Sequence, residues 1–196
     1  MFQRPAFVNQ FRQSVFNKLL KNKHKTNEIE LQHKTIYVLP SKLGGQFLLI
    51  ALLNFVMGIN YQNNLILAMA YLMVVVLVFA ILTGYKNVRG LSVKYQSVNE
   101  SYAPKTPFAR FQIHARSYCE LIKLVNDNLE SETVSLQNKE KKTVEIVLKC
   151  SERGAYGFDR IKIISHFPFG LVSVWSYIEP TETVYVYPQP ITTEKL

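Results

Sequence analysis

Two cysteines, Cys119 and Cys150, and two histidines in the polar half of the chain, His114 and His166, are the side chains best suited to nucleophilic, acid-base or metal chemistry. The cysteine spacing fits neither a CxxC redox pair nor a zinc site, so both are read as free, buried thiols. The histidines stand apart from each other and from any acid, and the plainer reading, side chains satisfied within the fold, is preferred for both. No Ser or Cys occupies a nucleophile motif, and acidic residues gather only in the loop 127–132. A phosphate loop is missing as well: Gly44 and Gly45 precede an apolar run, and Gly154 and Gly157 fall in a strand-like region. The sequence therefore offers no catalytic constellation, cofactor site or metal site, and a nonenzymatic role is expected.

The elements that would position any chemistry begin with an apolar block. Residues 65–83, LILAMAYLMVVVLVFAILT, carry no charge over a length that crosses a hydrocarbon core of about 30 Å. Twelve of these positions are Leu, Ile, Val or Phe, each favouring insertion by roughly 0.3–0.6 kcal/mol near a helix centre. An earlier run over 43–61, LGGQFLLIALLNFVMGINY, is less apolar because of Gln46, Asn54, Gly44 and Gly45. Only Gln62, Asn63 and Asn64 separate the runs, so a hairpin of two transmembrane helices, about 43–61 and 65–84, is expected. A cleaved signal peptide is disfavoured because about forty residues rich in polar and basic side chains precede the first run and no small-residue cleavage site follows it.

The formal charge of +9 would suit nucleic acid or an anionic membrane surface, and its placement favours the membrane. Up to Lys42 there are eight cations against Glu28 and Glu30, which is two thirds of the whole excess. Beyond the second run lie Lys86, Arg89 and Lys94, while the connecting turn has no charge. This distribution predicts both termini on the cytoplasmic side of the membrane, with reduced cysteines. Within the first 42 residues, Phe7, Phe11, Val15 and Leu19 recur at helical spacing among Arg12, Lys18, Lys21, Lys23 and Lys25. A basic amphipathic arm facing lipid is expected there, each cation contributing about 1 kcal/mol near anionic lipid. Asn54, in mid-span, is read as a hydrogen-bonding contact between helices rather than part of a conduction path.

From Leu91 onward the pattern alternates. Val144, Ile146 and Leu148 share one face, as do Ile161 and Ile163, and Phe111 and Ile113. About seven strands over residues 88–190 predict an antiparallel, immunoglobulin-like β-sandwich following the hairpin, with a short tail over 191–196. The most unusual segment is Phe167, Pro168, Phe169, Gly170 and Leu171, leading to Trp175. Proline and glycine must break strand pairing there, and a bend is favoured over a binding motif.

In order, YVLPSKLGGQF, INYQNN, YKNVRGLSV, ERGAYGFDRIKI, FPFGLVSVWSY and VYVYPQP resemble the N-terminal part of membrane proteins grouped as domain of unknown function 58. The resemblance covers nearly the whole chain and implies a cytoplasmic domain on a two-helix anchor. It also implies an association with a MoxR-type AAA ATPase or a von Willebrand factor A domain protein. Family members continue into a region with a YxxGDxxRxIxW-like motif, which has no counterpart before Leu196, so a truncated member is expected. An interaction or scaffold module in a cell-envelope complex is the leading expectation. A noncatalytic subunit of an envelope enzyme, or a shortened member without independent function, are the alternatives.

Overall fold

The computed structural model describes residues 26–188, apart from 104, 127, 128 and 151. The basic arm residues Arg12, Lys18, Lys21, Lys23 and Lys25, and the tail, lie outside the described residues. Two short strands come first, β1 (Glu28–Glu30) and β2 (Tyr37–Pro40), followed by helices α1 (Lys42–Asn60) and α2 (Asn64–Val88). Eleven further strands follow: β3 (Leu91–Val98), β4 (Ser101–Tyr102), β5 (Phe108–Ala115), β6 (Cys119–Asn126), β7 (Leu129–Glu130), β8 (Val134–Leu136), β9 (Lys141–Val147), β10 (Gly154–Gly157), β11 (Ile161–Ser165), β12 (Val172–Ile178) and β13 (Thr183–Tyr187).

The hairpin closes because its three-residue connection supplies both caps. Gln62 adopts a left-handed backbone at φ 50°, and the Gln62 and Asn63 amides donate to Ile59 and Gly58 carbonyls, the Schellman arrangement that ends a helix. Asn63 Oδ1 then accepts from the Leu65 and Ile66 amides and opens α2. Within α1 the buried positions are Gly44, Ala51 and Gly58, one every seven residues, and α2 buries Ala70, Leu77, Ala80, Gly84, Asn87 and Val88. Gly58 is where the helices come closest, whereas Leu77, Ala80 and Val88 join the core shared with the sheets. A Cβ at Gly58 would stand 2.9 Å from the Leu67 nitrogen, which shows how close the backbones run. Away from these positions the helices are apolar and uncovered: Leu49, Leu53, Val75, Phe79 and Leu82 are all exposed.

Among the described residues the strands pair antiparallel with one exception, the parallel pair β4 and β13. A four-stranded sheet runs β1-β3-β5-β9, a longer sheet runs β2-β12-β11-β6-β7 with β8 on β6, and a small sheet runs β10-β13-β4. The first two share one core. Val93, Phe111, Ile113, Val144 and Ile146 come from one sheet, and Ile122, Leu124, Ile161, Ile163, Val172 and Val174 from the other. Burying one such Leu, Ile or Phe contributes roughly 1.5–3 kcal/mol.

The alternation expected for the segments around Phe111, Val144 and Ile161 is the alternation observed. Elsewhere the structure is richer than expected, with thirteen strands among the described residues against about seven. Part of the difference comes from residues 28–40, expected to belong to the basic arm: they pair instead, β1 on β3 and β2 on β12. α2 also extends to Val88, beyond the end near 84. In β6 the phase breaks at Leu121, whose φ of 53° lets Cys119 and Ile122 both face inward.

Candidate functional site

The turn between β11 and β12 is where the helices meet the sheets. Its Phe167-Pro168 peptide is cis, Gly170 takes φ +69°, and the Gly170 amide donates to the His166 carbonyl at 2.8 Å. Only glycine adopts that φ without strain. Three carbonyls of this turn, from Phe167, Gly170 and Leu171, face the helix bases. Ser41, the N-cap of α1, accepts from the Gly44 amide and donates its hydroxyl to the Gly170 carbonyl. The Ser41 amide donates to the Leu171 carbonyl at 2.9 Å.

Glycine on each helix makes room for this contact. A Cβ at Gly44 would lie 2.0 Å from the Leu171 carbonyl oxygen, and one at Gly84 would lie 2.9 Å from the Phe167 carbonyl oxygen and 3.2 Å from Val174 Cγ2. One turn further along α2, the buried Asn87 amide donates to the Glu120 carbonyl at 2.8 Å and to Ser165 Oγ at 3.1 Å, and its Oδ1 accepts from the Glu120 amide at 2.8 Å. The side chain thereby completes the pairing of β6 just before its bulge. Buried polar groups satisfied in this way fix one arrangement, because any slip strands several of them without partners.

Sequence reasoning singled out the 167–171 segment and favoured a bend; the bend is there, and it is also the docking surface for both helices. Phe169 is left 58 % exposed at this junction, beside Leu39 at 49 % and Leu43 at 59 %. Trp175 belongs to a different neighbourhood, the outer side of β12. It stacks on Tyr37 at 6.3 Å between centroids and lies under the Lys162 ammonium at 4.8 Å. Its Nε1 is buried without a hydrogen-bond partner. Asn54 reaches across the hairpin to Met73 Sδ at 3.5 Å. Ser41, Gly84 and Asn87 were not anticipated as junction residues, although two of them stand in the motifs YVLPSKLGGQF and YKNVRGLSV.

The groups able to do chemistry are dispersed. Cys119 and Cys150 are free, the first buried and the second only partly so. Burial pushes the Cys119 thiol up to about 11, and burial followed by the Asp159 charge raises that of Cys150. Both are protonated at neutral pH and poor nucleophiles. His114 Nδ1 lies 3.2 Å from the Glu140 carbonyl, while His166 Nδ1 meets Ser173 Oγ at 3.0 Å. Partial burial, then Lys162 and Lys123, lower the His166 pKa below its ordinary value. Of the acidic loop, Glu130 pairs with Lys123 at 3.0 Å. Among the described residues no three His, Cys, Asp or Glu side chains stand close enough together to hold a metal ion.

No family model, curated protein or solved structure matches the chain.

Proposed function

We propose that this chain is a membrane-anchored, nonenzymatic interaction module, in which a transmembrane hairpin holds an immunoglobulin-like sandwich at the cytoplasmic surface of a bacterial inner membrane. The observation that carries this reading is the pair of helices themselves. They are 19 and 25 residues long, they bury few residues, most of them Gly or Ala, and they leave a belt of Leu, Val, Ile and Phe uncovered. Exposed apolar area of this extent and continuity suits a lipid environment and is costly in water. The uncharged turn at one end of the hairpin and Lys42, Lys86 and Arg89 at the other support an orientation with the sheets on the cytoplasmic side.

Scaffolding is the favoured mechanism. The junction at Ser41, Gly44, Gly84 and Asn87 supports a sheet domain held at a defined angle, and the outer strands β1 and β9 offer edges for a partner. The resemblance to the domain of unknown function 58 proteins suggests the partner class, a MoxR-type AAA ATPase or a von Willebrand factor A domain protein. The test uses the full chain in bacterial membranes. It should resist carbonate extraction, give fluorescence and no activity from green fluorescent protein and alkaline phosphatase fused after Leu196, and co-purify reciprocally with such an ATPase from mild detergent. Release by carbonate would end the anchor reading; an intact anchor with no ATPase in either direction would end the partner reading.

A further inference from the structure

The turn that docks on the helices leaves one large apolar side chain uncovered. Phe169 is 58 % exposed although it sits between Pro168 and Gly170, whose neighbours are packed against α1 and α2. Its level along the hairpin is fixed from both sides. Gly170 approaches Leu43 Cδ1 in the first turn of α1, and the preceding Phe167 carbonyl touches α2 at Gly84, directly after the uncharged run 65–83. Leu39 and Leu43 expose about half of their surface at the same level. Lys42 and Lys86 each stand two residues from the glycines of this contact, and with Arg89 they are exposed. Phe169 thus extends the uncovered apolar surface of the hairpin onto the sheet domain, at the point where apolar surface gives way to cations. That succession, apolar then aromatic then basic, matches the profile of a bilayer from acyl chains to anionic headgroups.

We propose that the turn 166–170 is a third membrane contact, with Phe169 seated in the headgroup region of an anionic bilayer and Lys42, Lys86 and Arg89 facing lipid phosphates around it. The proposal rests on the membrane-anchored reading above and adds to it a lipid-binding surface on the sheet domain itself. Two helices alone would leave the domain's underside in water; this contact presses one edge of the β11-β12 hairpin onto the membrane.

Depth-dependent fluorescence quenching tests the contact. In a Cys150→Ser background the buried Cys119 does not react, and single cysteines replace Phe169, Val75 in the middle of α2, or Val147. The last pairs with Phe108, at the end of β5 far from the helix junction. Each variant is labelled in detergent with an environment-sensitive dye and reconstituted into phosphatidylcholine-phosphatidylglycerol vesicles carrying nitroxide on the headgroup or deep in the acyl chain. Position 169 should be quenched by headgroup nitroxide several-fold more than position 147, and position 75 mainly by the deep nitroxide. Quenching at 75 with position 169 no different from 147 would overturn the turn contact and leave the anchor standing. No quenching at 75 would overturn the anchor and the contact together. A blue shift at 169 that grows with protein-to-lipid ratio, without nitroxide quenching, would assign the surface to a second copy of the chain and also overturn the proposal.

Discussion

Asn87 and the backbone of Glu120 pair as two strand residues would, the side-chain amide of one donating to and accepting from the peptide groups of the other at 2.8 Å each way. A helix ending in such a contact cannot rotate or slide against the sheet without leaving the Glu120 amide, the Glu120 carbonyl and Ser165 Oγ partly unsatisfied in a buried place.

Replacing Asn87 by Ala should therefore destabilise the protein by about 2 kcal/mol or more, since each buried polar group left unpaired costs about 1–3 kcal/mol. In detergent the thermal midpoint should fall by roughly 4–8 °C, at about 2–4 °C per kcal/mol for a chain of this size. An unchanged midpoint by circular dichroism would show that the junction does not depend on this amide.

Gly44 and Gly45 make a matched pair. Gly44→Ala places a methyl group against the Leu171 carbonyl, 2.0 Å away before any relaxation, and should cost about 1–3 kcal/mol as an overpacked site. Gly45→Ala meets nothing within 4 Å and should be neutral or stabilising by up to about 1 kcal/mol through helix propensity. Equal effects of the two substitutions in denaturant titrations would refute the close contact.

The thiols should separate by reactivity. At neutral pH a maleimide should modify Cys150 slowly and Cys119 only after unfolding, so intact-mass spectra show at most one adduct on the native protein and two on the denatured protein. Cys119 also sets a sign for alkaline stability. Its thiol is raised from 9.0 to about 11 by burial, so between those values the unfolded chain has lost a proton that the native chain keeps. Its contribution is fully present below about pH 9 and is lost as the pH rises towards about 11. Cys119→Ala should flatten the stability curve across that window.

Asn54→Leu should leave the hairpin intact. The amide makes one long contact with a weak sulfur acceptor, and hydrogen bonds between membrane helices average about 0.6 kcal/mol. A shift in thermal midpoint of roughly 2 °C or less is expected; loss of folding would assign the residue a structural weight that its geometry does not show.

The strands carrying Phe111, Val144 and Ile161 were readable because strict alternation has one explanation, a strand with one buried face. β1 and β2 were not, since they are only three and four residues long, too short for an alternation to declare itself, and owe their form to partners 60 or more positions away, such as Val93 and Trp175. At Leu121 the bulge shifts the phase of burial, so the two halves of β6 cannot be aligned by a period of two. Gly44 and Gly58 were visible, yet glycine in an apolar run reads first as weakened insertion, and only the folded chain sets Gly58 against Leu67 of the second helix and Gly44 against the Leu171 carbonyl. Asn87 carries no local sign of its role: a polar residue after an apolar helix is ordinarily solvated, and only the arrival of Glu120 opposite it makes the position special.

Between α2 and β3 stand only Arg89 and Gly90, and Leu31 clasps both sides of that step: its amide donates to the Leu91 carbonyl at 2.8 Å and its carbonyl accepts from the Gly90 amide at 2.9 Å. With no slack in the connection, a tilt of the helix becomes a torque on an inner strand of the four-stranded sheet. In the proposed membrane-anchored setting, changes in bilayer thickness or in the crossing of the two helices would then swing the whole sheet domain as a lever, with the largest displacement at its far end.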